Sequence, residues 1–149
     1  MTMMKKINSL YKKYKEIINY LIFGVLTTVI SLAVYYALVY TILNPLNAIM
    51  LQIANILSWT AGVIFAYITN RKYVFESKSD NLLKEINSFV GSRIVTLIMD
   101  MIIMYIGVTV IGLNDKLIKL ISQVVVIVSN YLFSKLFVFK RDEKWEKYF

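Results

Sequence analysis

Long apolar runs alternate along this chain with short basic flanks. The longest run carries no Asp, Glu, Lys or Arg from position 17 to position 70, a gap of 54 positions. One helical crossing of a bilayer takes about 20 apolar residues, so this run holds two crossings with a reversal between them. Pro45, the only proline, stands between Asn44 and Asn47 and supplies the one turn signal inside it. Two further runs follow a polar stretch, and the pattern predicts spans over about 17–43, 49–70, 86–112 and 117–139. The uncharged part of the last, 120–134, is only 15 residues long, so Lys116, Lys119 and Lys135 are expected to snorkel toward the headgroups. Residues 77–85 form the one internal linker. Its NLLKEI segment is read as a short surface helix, and 113–119 as an exposed loop.

Ahead of the first span, Ile7, Leu10, Tyr11 and Tyr14 fall at helical spacing, with Lys5, Lys6, Lys12, Lys13 and Lys15 on most of the other side. That is the pattern of a helix lying on an anionic leaflet, and a solvated basic tail is its plainer rival. The apolar run that follows is longer than the roughly 7 to 15 residues of a signal-peptide core. It also lacks a small-x-small exit, so it is expected to remain as a span.

Composition agrees with this reading. With 58% hydrophobic residues, mean hydropathy +0.63 and 17 Lys+Arg against 9 Asp+Glu, the chain is too apolar for an ordinary soluble domain. The absence of Cys excludes disulfides and thiolate metal sites, and the absence of His removes the commonest general base. Enzymatic chemistry is therefore poorly supplied, and no cofactor and no nucleic-acid partner are expected. The five glycines are scattered through the spans and form no phosphate loop, so no ATP site is visible.

Charge also orients the spans. Five basic residues precede the first span, four lie between the second and third, and five run from Lys135 onward, against Lys116 and Lys119 alone in the outer loops. Both termini are thus expected in the cytoplasm. The fold class that results is all-α integral membrane: four transmembrane helices as two repeated hairpins of parallel orientation, in a single domain over 1–149 with a cytoplasmic tail at 140–149. Two echoes support the duplication. YITNRKYVF at 67–75 returns as YLFSKLFVF at 131–139, and Ile22-Phe23-Gly24 resembles Phe89-Val90-Gly91. Such halves imply a repeat about an axis along the membrane normal. The glycines in the second echo suggest close packing there.

Polar groups inside spans need partners that lipid does not supply. Gln52, Asn55 and Thr60 lie near one face of the second span, which is expected to look inward. The third span carries Arg93, Thr96 and Asp100 on one stripe, and Gln123, Asn130 and Ser134 form a polar thread in the fourth. Arg93 and Asp100 are separated by about 10 Å of helix rise, too far for a direct pair. Either Thr96 and water bridge them, or each answers another helix or a ligand.

The four-span plan, the FGVLTTVIS start, the NRKYVF and SKLFVF closures and the SRIVTLIMDMIIMY third span together resemble the GtrA-like family. They are most similar to its Gram-positive branch of teichoic acid glycosylation proteins. The likeness runs from about 18 to 140. It implies movement of a polyprenyl-phosphate-linked sugar, typically an undecaprenyl phosphate hexose, across the cytoplasmic membrane for cell-surface polysaccharide. Membrane glycosyltransferases are the implied partners. The chain departs from the family twice. Tyr73 and Phe137 stand where many members have Trp, and Ser31 and Ala33 stand where many have an acid in the first span, which shifts any acidic role to Asp100.

A carrier of such a lipid needs cations for its phosphate and amide, hydroxyl or carboxylate groups for its sugar. Arg71, Lys72 and Lys135, with Asn70 beside them, offer the first at the cytoplasmic mouth. Arg93 offers it deeper, with Thr96, Asp100, Asn55, Gln123 and Asn130 as hydroxyl partners. Each assignment has a structural rival: topology anchors for the mouth cations, an intramembrane pair for Arg93 and Asp100, interhelical glue for the amides. Three functions are carried forward: translocation of the lipid-linked sugar, a non-transporting scaffold for a glycosyltransferase, and a small cation exporter, which the single charge bias and the acid-free first span disfavour. Because four spans enclose little volume, a homo-oligomer or a partner enzyme is expected.

Overall fold

The structure is a computed structural model that describes residues 2–139, the side chains of residues 115 and 116 excepted; the expected cytoplasmic tail at 140–149 lies outside the described residues. Every regular element among the described residues is helical. Four helices are long and apolar enough to cross a membrane. They form two compact units, residues 1–76 and 77–149, each a helical hairpin.

In the first hairpin, α1 (Met3–Thr41) packs antiparallel on α2 (Ala48–Thr69). The chain reverses at Pro45 as expected. Asn44 Oδ1 accepts from the Leu46 amide at 3.0 Å, and Asn47 caps α2 by accepting from the amides of Ile49 and Met50 at 3.0 and 3.2 Å. α1 has no break near position 16. The basic segment and the first span, read separately in the sequence, are one helix of 39 residues, about 58 Å long at 1.5 Å per residue. Nothing between Lys5 and Ile17 is a helix breaker, so hydrogen bonding propagates straight through the change from amphipathic to apolar.

The inward face of α2 differs from expectation. Gln52, Asn55 and Thr60 are exposed, and the buried row is Ala54, Ser58, Gly62 and Ala66, every fourth residue. Small side chains let the two backbones approach: a Cβ placed on Gly62 would fall within 2.1 Å of Ser31 Oγ. Where lipid-solvated helices gain little from mutual hydrophobicity, this closeness supplies the dispersion contacts that hold them together. Hydroxyls with no cross-helix partner turn back on their own helix. Thr60 donates to the Ile56 carbonyl at 2.7 Å, Thr27 to Phe23 at 2.8 Å and Thr69 to Phe65 at 2.8 Å.

The second hairpin pairs α3 (Leu82–Met104), extended by a π-helical segment Tyr105–Val110, with α4 (Asp115–Phe133). NLLKEI is not a separate surface helix. Asn81 caps α3 by accepting from the Lys84 amide at 3.1 Å, so Leu82 begins the span itself. The loop expected over 113–119 is likewise shorter, because Asn114 accepts from the Leu117 amide at 3.2 Å and α4 has already begun. Gly112, at φ 78, takes the left-handed turn that ends the π segment.

Both second helices close in the same way. Asn70–Val74 follows α2 and Ser134–Val138 follows α4 as single π-helical segments. The Phe75 amide bonds the Asn70 carbonyl at 2.9 Å, and the Phe139 amide bonds that of Ser134 at 2.8 Å. In each copy the polar residue, the Val and the final Phe are buried, while Tyr73 and Phe137 are exposed. The buried row of α4, Ile118, Ser122, Ser134 and Val138 with half-buried Val126 and Asn130 between them, repeats the spacing of Ala54 to Val74 in α2 position for position. On the first helices the match begins at Tyr20 and Phe89, 9% and 0% exposed. Ile22, which the sequence echo set against Phe89, is 51% exposed. Gly24 and Gly91 have nothing within 4 Å of an added Cβ, so the close packing expected there is absent within each hairpin and lies instead at Gly62 and Gly107.

Candidate functional site

The polar stripe of α3 lies along the packed face of the second hairpin, and what it meets on α4 can be followed level by level. Glu85, buried at the start of α3, accepts from Ser77 Oγ at 2.6 Å. One turn on, Phe89 stacks obliquely on Phe139, with centroids 6.0 Å apart. The Arg93 guanidinium lies over the Phe89 ring, 4.4 Å from its centroid, a cation–π geometry that places a fixed charge inside the apolar segment. Thr96, 1% exposed, donates to Asn130 Oδ1 at 2.8 Å.

Asp100 closes the stripe. Lys119 Nζ donates to both of its carboxylate oxygens, at 3.0 and 2.8 Å, and Ser122 Oγ donates to Oδ1 at 2.6 Å. Of the alternatives read from the sequence, the one in which Asp100 answers another helix is the one observed. Lys119, whose side chain is 49% exposed, has its ammonium held by the carboxylate. Charge pairing lowers the cost of keeping either group at bilayer depth.

Several expected site residues stand elsewhere. Gln123 is exposed and outside the packed row; the row uses Ser122, because the spacing along α4 is four residues throughout and Gln123 is seven from Asn130. Asn55 is exposed on the first hairpin and takes no part in its packed row. Arg71 and Lys72 sit in the first closure, where Lys72 Nζ lies 5.2 Å from the Tyr73 ring, and buried Asn70 starts the same π segment. Lys135, in the second closure, reaches Tyr131 Oη at 3.3 Å. So the structure joins Arg93, Thr96, Asp100 and Asn130 along one interface. It leaves Asn55, Gln123 and the closure cations outside that interface.

The first closure is tied to α1 by contacts that sequence reasoning did not find. Tyr73 stacks on Phe23 with centroids 5.3 Å apart, its carbonyl accepts from Asn19 Nδ2 at 3.3 Å, and Lys15 pairs with Glu76 at 3.1 Å. Lys119, Ser122 and Glu85 were missed as well. The signal for Lys119 was its charge, opposite to that of Asp100, on the helix that follows the Gly112 turn. Among the described residues no three His, Cys, Asp or Glu side chains gather to hold a metal.

With this geometry in view, comparison with known proteins places the chain. The family of GtrA/DPMS transmembrane domains matches residues 19–139. The chain belongs to that family. It is a multi-pass membrane protein, and the family match spans all four helices and both closures. It is similar to the cell wall teichoic acid glycosylation protein GtcA of Listeria monocytogenes serovar 1/2a, at 38% identity over 84% of this chain and 85% of the relative. The GtcA protein of Listeria innocua matches equally, and an uncharacterized membrane protein of Bacillus subtilis, YwcD, is 38% identical over 84% of this chain and 97% of its own length. No solved structure matches.

Proposed function

We propose that this protein translocates a polyprenyl-phosphate-linked sugar across the cytoplasmic membrane, for glycosylation of teichoic acid or a related cell-surface polymer, without catalysing a covalent step. The observation that carries the proposal is the row Arg93, Thr96, Asp100 in α3, which sets a cation, a hydroxyl and a carboxylate in succession through an apolar span. A glycosyl phosphate needs those groups, and hydrocarbon offers none of them. The relatives named for teichoic acid glycosylation support the pathway. The basic flanks support cytoplasmic termini, with the closure cations of each hairpin, Arg71 and Lys72 in one and Lys135 in the other, offered to the phosphate at the inner leaflet, and Arg93 deeper in the second hairpin. The matched spacing of the two hairpins supports a parallel repeat.

A second reading is that the protein positions a membrane glycosyltransferase and moves nothing. It is favoured by the bonds that Thr96, Asn130, Asp100 and Lys119 already make within the hairpin, which suit interhelical glue. Reconstitution separates the two. Purified protein in vesicles is expected to speed exchange of the glycosylated lipid between leaflets, read by its accessibility to an added glycosidase. A rate equal to that of protein-free vesicles would leave the scaffold reading.

A further inference from the structure

We propose that Asp100, Lys119 and Ser122 form a second headgroup subsite, at the turn end of the second hairpin, in which the phosphate of a glycosyl phosphate takes Lys119 while sugar hydroxyls take Asp100. The inference rests on the substrate class proposed above and adds two residues which that reading does not use.

The geometry is that of a pair built to be opened from one side. Asp100 is held from α4 by Ser122 Oγ at 2.6 Å and by Lys119 Nζ on both oxygens. The carboxylate side chain is 17% exposed and the lysine 49%, so Lys119 is the member that can leave while Ser122 keeps Asp100 aimed. Packing alone does not demand the charges. At the matching level of the first hairpin, Ser31 lies against Gly62, where an added Cβ would meet its Oγ, and the two helices close there with neutral side chains.

Separating two paired charges in an apolar setting strands both, so whatever parts them must offer an anion to Lys119 and hydrogen-bond donors to Asp100 together. A phosphate joined to a hydroxyl-bearing ring does this in one molecule. A lipid phosphate without a sugar offers only the anion and leaves Asp100 unanswered. The node would therefore distinguish a glycosylated carrier lipid from a bare one.

The test uses the full chain in nanodiscs, with polyprenyl phosphate hexose and sugar-free polyprenyl phosphate as probes, binding and thermal midpoint being measured on each variant. Lys119→Gln is expected to weaken the glycosylated lipid about tenfold or more, since a charge-assisted contact is lost, and to leave the bare lipid, which does not part the pair, unchanged. Asp100→Asn should weaken the glycosylated lipid and leave the bare one unchanged. The exchange Asp100→Lys with Lys119→Asp should recover the thermal midpoint without recovering sugar-lipid affinity. Two results would overturn the subsite: wild-type affinity in the exchanged protein, or single variants that lower the midpoint and leave both affinities intact. Either would make the pair a structural bridge. If the wild-type protein binds neither lipid, the substrate class itself fails, and the subsite with it.

Discussion

The two hairpins use one packing frame and fill it differently. In the first, the row on α2 is Ala54, Ser58, Gly62, Ala66, and it faces Thr27 and Ser31 on α1. In the second, the corresponding row is Ile118, Ser122, Val126, Asn130, and it faces Thr96 and Asp100 on α3. Both hairpins have a close approach, at Gly62 and at Gly107, but along the row only the second adds cross-helix hydrogen bonds and an ion pair. Because the packed row of the first hairpin carries no charge, its ion pair of Lys15 with Glu76 lying at the closure end, the packing frame itself does not require the charges along the row of the second. Even the position matching Arg93 is Gly24, with open space around it. The difference teaches that one packing frame can carry an ion pair and buried polar groups along its row in one half and neutral small side chains in the other.

The sharpest way to break this comparison is at Arg93. Arg93→Ala is expected to abolish surface glycosylation in a host that depends on this protein, with expression and membrane insertion intact, because the frame does not need the cation. Normal glycosylation, measured by lectin binding to the cell wall, would remove Arg93 from the site; loss of the protein itself would make it structural.

A smaller effect tests the frame at its two closest approaches. A Cβ on Gly107 would lie 2.7 Å from Ile118 Cγ2 and 3.0 Å from two more of its atoms, whereas the nearest obstacle at Gly62 is one hydroxyl. Ile118 is β-branched and has one favoured helical rotamer, while Ser31 can turn its Oγ aside. Gly107→Ala should therefore cost about 1–3 kcal/mol, as overpacking does. Gly62→Ala should cost less, and thermal midpoints in one detergent would rank the two.

The smallest expected change comes from making the second hairpin resemble the first. Asn130→Ala leaves Thr96 its 3.1 Å contact with the Arg93 carbonyl, so the stability loss should be near the ~0.6 kcal/mol typical of an interhelical bond in a membrane. If glycosylation falls far more than stability does, Asn130 serves the substrate; if the two fall together, it is glue.

Much of the fold was legible because its signals are long. An uncharged gap spanning 17–70 with one proline inside it leaves few alternatives to a hairpin, and four spans were read where four stand. The boundaries were less legible. Amphipathic and apolar segments are distinguished by solvent but propagate as one helix, so α1 looked like two elements. Polar residues misled where their environment was assumed: Gln52, Asn55 and Thr60 looked like an inner face because lipid disfavours them, yet the tight face is the one with almost no side chain. Of the candidate site, the α3 stripe was readable from its spacing. The partner of Asp100 was not, since Lys119 was counted as a loop cation and its direction depends on the turn at Gly112.

The wide-turn closures carry a consequence for how the chain tolerates change in length. A turn bonded from each amide to the fifth carbonyl back holds one residue more than its neighbours, and it keeps Asn70 and Val74, or Ser134 and Val138, on one meridian up to the final Phe. Losing a residue there would leave a continuous helix but rotate the last aromatic by about 100° out of its socket. These few residues should thus tolerate deletion poorly, and a shortened closure would have to rebuild the seat of the terminal Phe.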